Sequence, residues 1–271
     1  YRFCSGRIVM IIGMWGSLGD EVALTGLVRE IKRKYPYEYI SVLNKFSELF
    51  HNNPYVNNGE IFSLYHTRIP TSPFQLEMKK NLVYAYGKYM KVEIINSEPE
   101  LFLTEEEIQK FPKKDYNIYA IDPWAGWPSR MWSIEKFIRL VDLIRVFDPS
   151  AKIIEVGKST KNCFGNIRNV SLPNVDESYV DKLELRETAA LLKSCKLFIG
   201  NDSGLFHLSA AVGTKQIVLF TIPWYKRAYK TTLFLHNIYS CDTCFEKCIK
   251  SRQCIDYYEP EDIMNLIKRI L

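Results

Sequence analysis

The chain has 271 residues, 47% of them hydrophobic, which is enough to bury the core of one large domain or two modest ones. No apolar run approaches the roughly 20 residues of a membrane-spanning helix, and the first residues lack the divisions of a signal peptide. The net charge of +5 suits phosphate-bearing or other anionic ligands, but it is too small and too dispersed to indicate nucleic-acid binding.

Strands and helices alternate along the first part of the chain. RIVMIIGMW (residues 7–15) predicts a buried strand, and GDEVALTGLVREIKRKYP (19–36) predicts an amphipathic helix with acidic residues in its first turn. YISVLN (39–44) and GEIFSLYH (59–66) predict two more strands, and FQLEMKKNLVYAYGKYMKV (74–92) predicts a helix.

A charged stretch with a proline, TEEEIQKFPKKDYN, separates this series from a second one. The second series is predicted as the strand YNIYAID, the helix SIEKFIRLVDLIRVF, the strand AKIIEVG, the helix LRETAALLKSC, a strand-turn-helix-strand unit and the terminal helix YEPEDIMNLIKRIL. Two such series predict an α/β fold with two Rossmann-like, doubly wound domains, residues 1–112 and 113–271, facing a cleft. Ligands are then expected at the carboxyl ends of the strands.

The strand-turn-helix-strand unit, FIGNDSGLFHLSAAVGTKQIVLF (198–220), has polar residues between two apolar runs. The turn from Asn201 to Gly204, followed by a helix, places backbone N–H groups and the positive end of that helix at one point, which predicts an anion site. Gly204 allows close approach of a ligand, and His207 lies one turn into the helix. The alternative is that Asp202 or Ser203 only caps the helix and that His207 packs in the core.

The unit as a whole resembles the signature D-[ST]-G-x-x-H-x-A-A of glycosyltransferase family 9, the ADP-heptose:lipopolysaccharide heptosyltransferase family. IVMIIGMWGSLGDEVALTGLVREIKRKYP is similar to the family's opening strand, Gly-Asp turn and first helix. PWAGWPSRMWSIEKFIRLVDLI is similar to its K-x-W-x-x-E-x-F segment, with Arg130 where Lys is usual. The resemblance covers most of the chain and is weakest between residues 37 and 107.

The resemblance implies a GT-B arrangement and a bacterial, inverting glycosyltransferase of the heptosyltransferase type. Such an enzyme transfers a sugar, with ADP-heptose as the favoured donor, to a hydroxyl of a lipopolysaccharide core, another glycan or a protein. No catalytic metal is expected, because helix ends and basic side chains stabilise the departing diphosphate. The implied location is cytoplasmic, with at most peripheral association with the inner face of the membrane.

Residues with roles in the family can be carried over by position. Asp20, in the Gly-Asp turn, is the implied general base that takes the proton of the acceptor hydroxyl. Its alternative role is that of an acid in the first turn of a helix. The residues implied at the donor are Arg130, Gly157, Asp202, Ser203, Gly204 and His207.

Three of these donor positions have further alternatives. The alternative for Arg130 is a solvated arginine before the helix instead of a contact with the donor phosphates. Gly157 lies in VGKSTKN, where family members often have a glycine-rich turn and an acid, but no obvious acid follows it here. For Asp202 a structural role, either fixing the turn or orienting His207, is favoured over ligand contact.

Four of the seven cysteines lie in CDTCFEKCIKSRQC with the spacing C-x2-C-x3-C-x5-C. Four thiolates so close in sequence can surround one Zn²⁺ or iron ion, and the autotransporter heptosyltransferase branch of the family is similar in using cysteines to hold iron. A structural metal site is therefore expected, although free or disulfide-paired thiols in a loop are the alternative. Its expected ligands are Cys241, Cys244, Cys248 and Cys254.

Two functions of other classes stay open on the sequence. A non-catalytic module that binds a nucleotide sugar or phosphate would keep the C-terminal signature without needing Asp20 as a base. A metal-binding interaction protein would use the cysteine cluster as its main functional site.

Overall fold

A computed structural model of the chain describes residues 9–57, 65–69, 80–159, 171–221, 227–235 and 253–271. Within these ranges the strands form two sheets, one of three strands and one of six. Every strand pair in both sheets is parallel. The chain is thus an α/β protein, as the alternation of predicted strands and helices indicated.

The first sheet has strand β1 at its centre, in the order β2-β1-β3. Because its strands are parallel, their carboxyl ends lie together at one edge, from which the chain enters helix α1. The elements of this part are β1 (Val9–Gly13), α1 (Leu18–Lys34), β2 (Tyr39–Leu43), a 3₁₀ turn (Ser47–Phe50), β3 (Tyr65–Arg68) and α2 (Leu82–Met90).

The second sheet has the order β6-β5-β4-β7-β8-β9, with β4 and β7 at its centre. None of the helices in the described ranges is long and apolar enough to cross a membrane. The elements of this part are α3 (Glu105–Gln109), β4 (Ile118–Asp122), a 3₁₀ turn (Pro128–Arg130), α4 (Ile134–Phe147), β5 (Lys152–Glu155), β6 (Glu177–Ser178), α5 (Leu185–Ser194), β7 (Leu197–Asn201), α6 (Gly204–Ala211), β8 (Gln216–Leu219), β9 (Thr232–Leu233), α7 (Gln253–Asp256) and α8 (Pro260–Ile270).

The elements differ from the predicted ones at several places. Helix α2 begins at Leu82, because the Asn81 side chain caps it by accepting the N–H of Val83 at 3.0 Å, so the prediction of helix at residues 80–81 is wrong. Residues 74–79 of that predicted helix and 59–64 of the third predicted strand lie outside the described residues. Strands β6 and β9 are two residues long, too short to show a periodicity in sequence.

Two clusters of buried apolar side chains form the core. One includes Leu24 and Leu27 of α1 together with Phe206 and Leu208 of α6, so it extends across both sheets. The other lies beneath α4 and α8. Burial of each large apolar side chain contributes about 1.5–3 kcal/mol, and the shared cluster therefore holds α1 against α6.

Arg186 of α5 ties the segment that joins the two sheets to the rest of the structure. Its guanidinium donates to both carboxylate oxygens of Glu107, at 2.6 and 2.7 Å, and to the carbonyls of Phe102 and Glu48 at 2.8 and 2.9 Å. These hydrogen bonds from Arg186 lower the pKa of Glu107 to about 2. The division of domains after residue 112 itself stays a prediction.

A second buried carboxylate fixes the loop after β2. Glu21 is fully buried in the first turn of α1, and its oxygens accept the backbone N–H groups of Phe46 and Lys45, at 2.8 and 3.2 Å, and the side-chain amide of Asn44 at 2.9 Å. The N–H of Gly16 donates to the same carboxylate at 3.3 Å. Glu21 thus joins the loops that follow β1 and β2 at the carboxyl edge of the first sheet. This role adds to the one predicted from the sequence, that of an acid in the first turn of a helix.

We expect Glu21→Gln to lower the free energy of unfolding by about 2–3 kcal/mol, because the new amide would present N–H groups to N–H donors. Urea denaturation measures the change. The matched variant Glu105→Gln, in the exposed first turn of α3, should change it by less than about 0.5 kcal/mol. Equal losses in the two variants would contradict the role given to Glu21.

Candidate active site

The first turns of α1 and α6 lie against each other at the candidate site. A Cβ atom built on Gly19 would lie 2.5 Å from Cδ2 of His207, and one built on Gly204 would lie 2.9 Å from Cβ of Leu18. Both distances are too short for real contacts, so any larger side chain at either position would push the helices apart. The sequence suggested that Gly204 lets a ligand approach closely. In the structure, Leu18 fills the space that a side chain at Gly204 would take.

The meeting of these helices places two positive helix ends at one crevice. Ser203 caps α6: its Oγ accepts the N–H groups of Leu205 and Phe206, at 3.2 and 3.5 Å, and donates to Asp122 at 2.7 Å. Ser203 is therefore the N-cap of α6, and its contact with a donor stays a prediction. Among the described residues none accepts the N–H of Gly204, which is left as a donor at the end of the helix.

Asp20 lies on the α1 side of the crevice, and its carboxylate is well held. One oxygen, Oδ2, accepts both the backbone N–H and the hydroxyl of Ser17, at 2.9 and 2.7 Å. The other oxygen, Oδ1, accepts the hydroxyl of Tyr86 at 3.0 Å. The residue is 8% exposed. Its carboxylate is also part of the capping box of α1, which is the structural role that its position in the first turn suggested.

Two arginines converge on Asp202 on the α6 side. Nη1 of Arg130 lies 3.3 Å and Nη1 of Arg227 lies 3.6 Å from Oδ2 of this buried carboxylate. Burial lowers the pKa of Arg227, which nevertheless stays protonated as guanidinium groups in proteins do. Two arginines and two carboxylates, Asp202 and Asp122, therefore lie on this side of the crevice. The role of Asp202 at the donor stays a prediction.

His207 is a buried, neutral histidine. It is 3% exposed, and its Nδ1 lies 2.7 Å from the hydroxyl of Tyr229. Burial lowers its pKa to about 4; the charge of Asp202 opposes this shift, and that of Arg227 adds to it. Of the two roles considered from the sequence, hydrogen-bond donor and cation, the surroundings therefore support the donor.

Gly157 follows β5 at the same edge of the second sheet. Its φ of 147° is a conformation that side chains rarely adopt, and its carbonyl accepts the N–H of Asp181 at 3.1 Å. Glu155, two residues before Gly157, is fully buried and accepts the hydroxyl of Ser178 at 3.1 Å. Contact between Gly157 and a donor stays a prediction.

Sequence reasoning missed four residues that contact the expected ones. Asp122 offered a signal, since it is an acid at the carboxyl end of a buried strand. Tyr86 lay within a stripe interpreted as packing, and Arg227 and Tyr229 lay in a stretch without a motif. These three reach the site only through tertiary packing.

Most of the cysteine cluster lies outside the described residues, namely Cys241, Cys244 and Cys248. Cys254 is buried in α7. In the described ranges no three His, Cys, Asp or Glu side chains are grouped as a metal site would require. The metal site therefore stays a prediction.

The sequence of residues 61–252 matches the model of glycosyltransferase family 9 (heptosyltransferase), well over half of the chain. The chain belongs to glycosyltransferase family 9. This confirms the family resemblance seen in the signature, while the Gly-Asp turn at residues 19–20 lies outside the matched range.

Curated members of family 9 show moderate similarity. Lipopolysaccharide heptosyltransferase 1 of Campylobacter coli is 26% identical over 196 residues, which are 71% of this chain and 47% of that protein. Lipooligosaccharide heptosyltransferase 2 of Campylobacter jejuni is 27% identical over 170 residues, 57% of this chain and 51% of that protein. The chain thus spans about half the length of the curated relatives it matches.

Solved structures share the fold at low sequence identity. The family 9 glycosyltransferase of Veillonella parvula has a TM-score of 0.73 at 13% identity, with 97% of both chains covered. The iron-containing dodecameric glycosyltransferase TibC of enterotoxigenic Escherichia coli has a TM-score of 0.76 at 14% identity, covering 97% of this chain and 76% of TibC. ADP-heptose lipopolysaccharide heptosyltransferase II of E. coli has a TM-score of 0.67 at 14% identity, covering 96% and 98%. The predicted GT-B-type fold is confirmed.

The buried neutral state of His207 predicts a pH dependence of stability. Because its pKa is about 4 in the folded chain and near 6.5 in the unfolded chain, the unfolded state binds more protons between these values. The free energy of unfolding should therefore fall by about 2–3 kcal/mol as pH falls from 6.5 to 4. Urea denaturation at a series of pH values measures this fall.

His207→Gln should lack this part of the pH dependence. His51→Gln, which changes an exposed histidine, should keep it. The same pH dependence in wild type and His207→Gln would contradict a buried neutral imidazole.

Proposed function

We propose that this chain transfers a sugar from a nucleotide-diphosphate donor, with ADP-heptose favoured, to a hydroxyl of a lipopolysaccharide core, another glycan or a protein. The curated relatives named above are lipopolysaccharide and lipooligosaccharide heptosyltransferases. Among the structural neighbours, TibC has been solved with ADP-D-β-D-heptose and E. coli WaaC with ADP. The observation that carries the proposal is the contact between Gly19 and His207, which sets Asp20 opposite the signature helix.

The donor diphosphate would bind at the end of α6. The N–H of Gly204 and the positive helix end supply donors and partial charge, and Arg130 and Arg227 supply full charges. A Tyr229 hydroxyl that donates to Nδ1 of His207 leaves the imidazole hydrogen on Nε2, the nitrogen nearer Gly19. A neutral N–H donor then faces the crevice.

The reaction would proceed in one displacement. The acceptor hydroxyl gives its proton to Asp20 as its oxygen forms a bond to the anomeric carbon of the donor. The bond from that carbon to the diphosphate breaks, and its electron pair leaves on the diphosphate oxygen. Fixed dipoles and cations at the α6 side stabilise this charge, and attack from the opposite face inverts the anomeric carbon.

We also propose that the cysteine cluster holds a structural iron or zinc ion. Four thiolates are a suitable donor set, and the one described ligand, Cys254, lies just before a segment that contacts the site. In that segment the carbonyl of Tyr258 accepts the indole N–H of Trp132 at 3.0 Å and the Lys136 ammonium at 3.0 Å. The ion would hold the four cysteines together and supply no chemistry to the transfer.

Two broader parts of the proposal come from the family resemblance. Residues 1–112 would bind the acceptor and residues 113–271 the nucleotide sugar. The reaction would take place in the cytoplasm, with at most peripheral contact between the protein and the membrane.

Asp20→Asn tests the proposed base. With ADP-heptose and heptose-deficient lipopolysaccharide, we expect kcat to fall about 100-fold to 10,000-fold, because no group replaces the carboxylate as proton acceptor. Affinity for ADP, measured by calorimetry, should change less than about threefold, since the diphosphate binds at α6. Product mass and the anomeric proton coupling in NMR measure transfer and inversion.

The matched variant Asp115→Asn, at an exposed aspartate, should transfer at the wild-type rate. Wild-type turnover by Asp20→Asn would contradict the proposed base. ADP binding by a wild-type chain that never turns over would instead favour a non-catalytic binding module.

A further inference from the structure

Tyr86 contributes a buried hydroxyl to the Asp20 carboxylate from a different element. It lies on α2, is fully buried, and donates to Oδ1 at 3.0 Å. Burial and the negative charge of Asp20 raise its pKa well above the usual value, so the phenol keeps its proton and acts as a donor throughout the neutral range. A buried tyrosine hydroxyl needs a partner, and here the partner is the proposed base.

The donors around Asp20 are distributed unequally between its two oxygens. Each carboxylate oxygen has two lone pairs, and on Oδ2 both are used by Ser17. Gly16 packs over the same oxygen, since a Cβ built there would lie 2.8 Å from Oδ2. Among the described residues, Oδ1 accepts one hydrogen bond, from Tyr86, and its second lone pair has no donor.

We propose that Tyr86 is a positioning residue, which orients the Asp20 carboxylate so that Oδ1 takes the proton of the acceptor hydroxyl. This inference rests on the proposed role of Asp20 as the base. In the step, the acceptor O–H bond breaks, its proton binds the open lone pair of Oδ1, and the freed electron pair forms the bond to the anomeric carbon. Tyr86 keeps its own proton and forms no bond to substrate.

Tyr86→Phe removes one oxygen atom and tests the inference. For transfer from ADP-heptose to heptose-deficient lipopolysaccharide, kcat should fall about tenfold, because Oδ1 is less well oriented, while KM for ADP-heptose stays the same. Tyr84→Phe, a change at a half-exposed tyrosine of the same helix, should leave both kcat and KM unchanged.

A second measurement keeps the side chain in place. With 3-fluorotyrosine at position 86 the hydroxyl is retained, so kcat should stay within about threefold of the wild-type value. A wild-type kcat in Tyr86→Phe would overturn the inference, as would an equal fall of kcat in Tyr84→Phe.

The Asp20→Asn result separates this inference from the proposed function. If Asp20→Asn is inactive and the Tyr86 variants match wild type, the base stands and the positioning role is overturned. If Asp20→Asn retains turnover, the proposed base itself is wrong.

Discussion

The close approach of α1 to α6 is the constraint on which the rest of the candidate site depends. It requires the absence of a side chain at Gly19, whose Cβ would overlap His207, and at Gly204, whose Cβ would overlap Leu18. The shared apolar core then holds the two helices in place. Because of this contact, residues about 190 positions apart, at the first turn of each helix, open onto one crevice with two positive helix ends.

The two sides of that crevice carry different groups. On the α1 side, Ser17 and Tyr86 hold the carboxylate of Asp20 with three hydrogen bonds. On the α6 side, Arg130 and Arg227 lie beside Asp202 at the positive end of the helix. One face therefore suits a proton acceptor and the other suits a departing diphosphate, which is the division of tasks that transfer from a nucleotide sugar needs. Membership of family 9 and this arrangement support the same proposal.

Much of the fold and half of the site could be predicted from the sequence. Long periodic segments such as α1 and α4 were found because their apolar stripes repeat over three or more turns. Asp20 was predicted from its place in the Gly-Asp turn, and His207 was predicted because the signature fixes its type and spacing. Tyr86 and Arg227 were not, because they reach the site through packing and look like ordinary core and loop residues in sequence. The start of α2 depended on the Asn81 cap, which a periodicity does not show.

A crystal structure with bound ADP tests the central claim most directly. We predict the diphosphate at the first turn of α6, within hydrogen-bond distance of the Gly204 N–H and next to Arg130, with Asp20 across the crevice. Helices α1 and α6 should keep their contact at Gly19. A diphosphate bound away from the α6 end, or a crevice in which Asp20 and Gly204 face different solvent regions, would contradict the account.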